Sequence, residues 1–163
     1  MSLSDAQLVT FKSDLDANTD SVIVQALADG ANNVIADWYN TQASPDYWVW
    51  KNLVDLVTVG MNLDGQNVAD ITSANAERLQ VWFTSVPGGV VPSRADHRAF
   101  FDDVFSGAAG TETRANLDAL WRRLASRIEQ LFATGDGTNP SPSVAAFEGN
   151  IDRLDVAAAL ALP

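Results

Sequence analysis

Between Thr111 and Gly135, apolar residues recur in steps of three and four: Leu117, Leu120, Trp121, Leu124, Ile128, Leu131 and Phe132. That is one stripe of a 3.6-residue spiral. The opposite side carries Arg114, Arg122, Arg123, Arg127 and Glu129. Gly135 follows, where a left-handed stop costs little. The spacing predicts one long helix and, with it, a helical fold class. It also gathers four of the chain's ten basic residues on one element.

The rest of the chain reads the same way. Ser4 and Gln7 form a capping box ahead of a helix over about residues 5–17. A second helix is expected over about 21–39, with Gly30 in its middle marking either close packing or a kink. Ser44-Pro45-Asp46 is a helix-start signal, predicting a helix through Tyr47, Trp48, Trp50, Leu53 and Val54. Its β-branched end, Val54 to Val59, is also compatible with extended chain. Thr72 or Ser73 opens a helix with the stripe Leu79, Trp82, Phe83 and Val86, closed by Pro87-Gly88-Gly89. Ser93 with Asp96 starts another over about 94–106, burying Phe100, Phe101, Val104 and Phe105. Residues 135–143, GDGTNPSPS, read as a linker. The tail carries Phe147, Ile151, Leu154, Val156 and Leu160 and ends in a short helix or stays extended. The expected architecture is all-α: one bundle of five or six helices over residues 1–135, then a linker and C-terminal arm over 136–163.

Net charge is −11 and uneven: residues 1–70 hold two Lys against ten Asp, whereas 71–163 hold eight Arg against eleven acids. Lys12 and Lys51 are the only lysines. Arg suits bidentate pairing with carboxylates, so the bias fits either an ordinary surface or contacts with acidic partners or other copies. An acidic chain repels duplex DNA, which argues against direct DNA binding. The absence of cysteine excludes disulfides, thiolate zinc sites and cysteine catalysis. The first residues, MSLSDAQLVTFK, lack the basic and apolar regions of a secretory signal, and no apolar run approaches ~18 residues. A cytosol-like space, or a particle assembled there, is expected.

Candidate catalytic chemistry is thin. His97 is the only histidine. Phe101 occupies its i+4 position, so the helical metal-ligand spacing is missing. Asp96, Asp102 and Asp103 are near in sequence, but adjacent acids on a helix diverge by about 100°. Gly135-Asp136-Gly137-Thr138 lacks the Gly-Lys-Ser/Thr of a phosphate-binding loop. No catalytic, metal or cofactor residue is assigned. Trp38, Tyr39, Tyr47, Trp48 and Trp50 are dense for so short a span. On a helix, positions 48 and 50 differ by about 200°, so both cannot face one side. Trp48 is read as core; Trp50 is read either as core or as a partner contact. Arg122, Arg123 and Arg127, on the outward face of the long helix, either pair with the acid-rich first half or contact another subunit.

Four stretches together resemble small structural proteins of tailed bacteriophages: Ala36-Asp37-Trp38-Tyr39-Asn40; residues 43–51, ASPDYWVWK; residues 125–138, ASRIEQLFATGDGT; and Phe147-Glu148-Gly149 followed by Asp155-Val156. The resemblance implies a virion neck component, foremost a head–tail adaptor docking on the portal ring. It implies a homo-oligomeric ring, a dodecamer in that family, with portal and tail or neck proteins as partners, DNA passing nearby and no membrane. It also implies a C-terminal extension that grips a neighbour and brings no catalytic residues. The expected partner interface is Trp50, Arg122, Arg123, Arg127, Phe147, Ile151, Leu154 and Leu160, with the last four outside the domain core. Two other readings stand beside it: a head- or tail-completion or other minor virion protein, and a small metal-dependent enzyme around His97, Asp102 and Asp103. An acidic mimic of DNA is a third, disfavoured by the Trp and Phe content.

Overall fold

The Ser4 hydroxyl accepts from the Gln7 N–H, and the Gln7 carboxamide accepts from the Ser4 N–H at 2.9 Å, so the first capping box closes in both directions. The computed structural model describes residues 3–86 and 88–163. Pro87, first residue of the expected Pro87-Gly88-Gly89 stop, lies outside the described residues, as do Met1 and Ser2. Along the chain run α1 (Asp5–Ala17), α2 (Ser21–Asp29), α3 (Asn32–Asn40), β1 (Trp48–Trp50), α4 (Leu56–Met61), α5 (Gly65–Asp70), α6 (Ser73–Ser85) and α7 (Ala95–Val104). Then come a 3-10 turn (Ala108–Gly110), α8 (Thr111–Trp121), β2 (Arg122–Leu124), α9 (Arg127–Leu131), β3 (Ala133–Thr134), β4 (Val144–Ala145) and α10 (Arg153–Leu160). The protein is mostly helical but not purely all-α: β1 pairs with β2, and β3 with β4, in two small sheets.

The long helix expected over 111–135 is three elements. Trp121 ends α8, and its carbonyl accepts from the Lys51 N–H at 2.7 Å. The Ala125 N–H, which a continuous helix would direct back to Trp121, donates instead to the Tyr47 carbonyl at 2.8 Å. A fresh helix, α9, starts at Ser126, whose hydroxyl and the Glu129 carboxylate close a second capping box. The apolar stripe persists across the break but serves two cores: Leu117 and Trp121 enter one, Ile128 the other.

Two further expectations are corrected. The helix over 21–39 is divided at Gly30, which caps α2 at φ 66° in the left-handed region. No helix starts at Ser44-Pro45-Asp46; the chain runs into β1. Trp48 bonds through both its N–H (to the Gly137 carbonyl, 2.7 Å) and its carbonyl (from the Ser143 N–H, 2.9 Å). In a strand, positions 48 and 50 share a face, which removes the helical conflict: Val49 is buried, and Trp48 and Trp50 are half-buried.

Contacts divide the chain into two units, and the division does not fall at 135/136. Unit 1 comprises the chain up to Trp48 and again from Leu124 onward; unit 2 is the continuous stretch Val49–Arg123. In unit 1, Phe11, Leu15, Ile23, Ile35, Tyr39, Ile128, Phe147, Ile151 and Val156 form one buried cluster. The tail belongs to it. Asn40 pairs with the Ile151 backbone twice, donating to its carbonyl at 2.8 Å and accepting from its N–H at 3.0 Å. Asp155, buried, accepts from the Leu3 N–H at 3.0 Å. The expected linker is an ordered hairpin connection: Tyr47 Oη lies 2.8 Å from Ser143 Oγ, and β3 and β4 pair through Ala133↔Ala145 and Thr134↔Val144. In unit 2, Val54, Val59, Leu79, Val90, Phe101, Phe105, Leu117 and Trp121 form the buried cluster. Val54 and Val90 exchange backbone bonds at 2.8 Å.

Candidate interaction surfaces

His97, on α7, is buried and accepts at Nδ1 from the Val91 N–H at 3.0 Å. Its proton in the neutral form therefore sits on Nε2. The ring meets Trp82 edge to face at 4.9 Å between centroids. Burial, helped by the Arg94 charge and opposed by Asp96, holds its pKa below the ordinary value. Asp103 pairs with Arg78 at 2.7 Å, and Asp96 with Arg94 at 2.6 Å. Asp96 and Asp103 are thus turned to separate partners. Among the described residues no three His, Asp or Glu side chains gather as a metal-binding group.

The expected interface residues fall into distinct places. Trp50 is half-buried with the Arg98 guanidinium 4.2 Å from its ring centroid. Arg98 also donates to the Pro92 carbonyl, and its partial burial lowers its pKa against the opposing charges of Asp102 and Asp118. Trp50 and Arg98 form one wall of an open cleft of about 310 Å³ with Asp102, Arg114 and Asp118. Arg122 pairs with Asp118 at 2.9 Å, one turn earlier. Arg123 is half-buried and engaged. Arg127 lies 4.0 Å from the Trp38 ring centroid and donates to the Trp38 carbonyl at 3.0 Å. Arg122 pairs with an acid of α8 and Arg127 with Trp38 and Thr41, so these contacts are not the expected pairing with carboxylates of the first half.

The placement of the tail is a correction. Phe147 and Ile151 lie in the unit 1 core, and Leu160 is half-buried against it. Phe147 meets Phe132 edge to face at 5.9 Å. Leu154 alone of the four points outward, 66% exposed. The reason is registry: α10 turns Val156 and Ala159 inward, which leaves position 154 on the outer side.

Exposed apolar side chains occur elsewhere, where the sequence reading missed them. In unit 2, Leu53, Val57 and Met61 are exposed at intervals of four. Val81 on α6 is also exposed and borders an open apolar groove of about 570 Å³. Within that groove Trp82 stacks on Phe100 at 4.2 Å. The signal for the first set was present: α4 reads LVTVGM, apolar on every side, a composition typical of a helix covered all round. Among the described residues no helix is long and apolar enough to cross a membrane.

Compared with protein-family models, curated proteins and solved structures, the chain finds no match.

Proposed function

We propose that this chain is an assembly protein that acts through its surfaces, and specifically a structural virion protein of a tailed phage, foremost a head–tail adaptor that docks on the portal ring. The observation that carries the reading is the spacing of exposed apolar side chains in unit 2, where Leu53, Val57 and Met61 recur every four residues; unit 1 exposes Val9, Val22, Val24, Val34, Val144 and Leu154 as well, without that spacing. Large apolar side chains left open in one region mark contact surfaces. The phage assignment itself comes from the resemblance of residues 36–40, 43–51, 125–138, 147–149 and 155–156 to small structural proteins of tailed phages. The ring, its dodecameric number and its portal and tail partners follow from that resemblance.

One part of the family picture changes. The gripping element is not the tail around Phe147 and Ile151, since these belong to the unit 1 core. The docking surface is assigned to unit 2 instead. The test is the mass of the purified protein alone and after mixing with a candidate portal ring. A ring-sized species formed only with the portal supports the adaptor reading. A protein whose mass stays that of the free form in the presence of the portal refutes it.

A further inference from the structure

The outer side of α4 is a short apolar ridge. Val57 is 67% exposed and Met61 is 81% exposed, one helical turn apart, and Leu53, just ahead of the Asp55 cap, is 58% exposed. The inner side of the same helix is already used, with Val59 fully buried and Leu56 packed beside it. A helix apolar on both sides is satisfied only when both are covered. Methionine at the tip of the ridge suits contact with a partner that packs imperfectly, because its side chain is flexible and polarisable.

Asp55 caps α4 at the foot of the ridge, and the chain flanking the helix is acidic, which selects the occupant. Between Lys51 and Arg78 the chain carries Asp55, Asp64, Asp70 and Glu77 and no cation. Asp55 and Asp64 accept from backbone N–H groups at the starts of α4 and α5, and Asp70 accepts from the Gln66 carboxamide. None of these three pairs with a cation among the described residues. A second copy meeting it ridge to ridge would bring the same carboxylates face to face, and an anionic membrane would be repelled as well. We infer that the Leu53–Val57–Met61 ridge docks an amphipathic segment of another protein whose apolar face is flanked by lysine or arginine. This deepens the assembly reading and rests on it, because it names the chemistry of the partner.

The test uses the full chain and two synthetic helical peptides of about 15 residues, long enough for helix to form. Both carry one leucine-rich face, flanked by lysines in one peptide and by glutamates in the other. The lysine peptide is expected to bind, more weakly at higher salt, and the glutamate peptide is not. The double variant Val57→Ser with Met61→Ser changes only exposed side chains and is expected to weaken binding by at least about tenfold. The inference is overturned by any of three results: no binding of the lysine peptide, equal binding of the two peptides, or equal binding by the double variant. It is also overturned if the native chain self-associates and the double variant does not, since the occupant is then a second copy. Mixing with portal separates the two proposals. A double variant that still forms the ring-sized species removes the ridge and leaves the adaptor reading standing. A native chain that binds the lysine peptide but ignores the portal does the reverse.

Discussion

Arg127 and Trp38 lock together twice: the guanidinium stands 4.0 Å from the indole centroid, and its Nη1 donates to the Trp38 carbonyl at 3.0 Å. The same group donates to the Thr41 hydroxyl. One cation thereby closes the last turn of α3, where carbonyls lack helical partners and positive charge is favoured. Arg127→Ala is expected to destabilise unit 1 by about 1–2 kcal/mol, from the lost ring contact and hydrogen bonds. Lysine keeps the charge but not the planar fork, so Arg127→Lys should recover less than half of that. Urea unfolding of the three proteins checks both numbers, and a lysine variant as stable as the native chain refutes the account.

A second prediction concerns Asn40, whose carboxamide matches both backbone groups of Ile151. Replacement by alanine leaves a donor and an acceptor without partners beside the core, at a cost of about 2–3 kcal/mol. Cutting the chain after Thr138 has a larger effect, because it removes β4, Phe147, Ile151 and Val156 from unit 1 together. That fragment is expected to lose the fixed tertiary structure around Tyr39, read by near-ultraviolet circular dichroism. A truncated protein with the native spectrum contradicts the placement of the tail.

Two glycines should respond in opposite directions. A Cβ at Gly110 would stand 1.8 Å from the Phe105 carbonyl oxygen and 2.8 Å from its Cα, and backbone cannot swing aside. Gly110→Ala is therefore expected to cost about 3 kcal/mol, the upper end for overpacking. Gly60, inside α4, has nothing within 4 Å of its virtual Cβ. Gly60→Ala should stabilise by about 0.5–1 kcal/mol through helix propensity. Thermal melts that fail to order the variants this way refute the packing argument.

His97 gives unit 2 a pH dependence with a definite sign. Burial lowers its folded pKa, so the unfolded chain takes up the proton first as pH falls. Its contribution is fully present above the ordinary histidine value near 6.5 and is lost as pH drops through the lowered folded value. Melting temperature should therefore fall from pH 7 toward pH 5, before the carboxylates titrate. In His97→Gln this part of the slope should disappear; an unchanged slope would assign it to other groups.

Local signals were readable from the residues and long-range ones were not. Ser4 with Gln7 and Thr72 ahead of α6 cap helices where their side chains reach backbone N–H groups three positions on, so adjacent sequence sufficed. Ser126-Arg127-Ile128-Glu129 carried the same signature, yet the unbroken apolar period around it read as one helix. Periodicity reports which side chains are buried, not whether the backbone is continuous. The aromatic and β-branched run Tyr47-Trp48-Val49-Trp50 was the strand signal that the proline start cue concealed. The fate of the tail rested on Asn40 meeting Ile151, 111 positions away, which no local pattern encodes. The acids near His97 were legible as dispersed; the signal for the ridge, LVTVGM, was present but masked, because Val54 to Val59 read equally as extended chain.

Unit 1 is completed only by residues translated after Val49–Arg123, whereas that inner stretch is uninterrupted. At roughly 5–20 residues per second, the inner stretch leads residues 124–163 by several seconds. Phe11, Ile23 and Ile35 must wait, uncovered, for Ile128, Phe147 and Val156 to arrive. Synthesis order thus sets a window in which the early helices stand open to chaperones, and the nested segment is the first part able to settle.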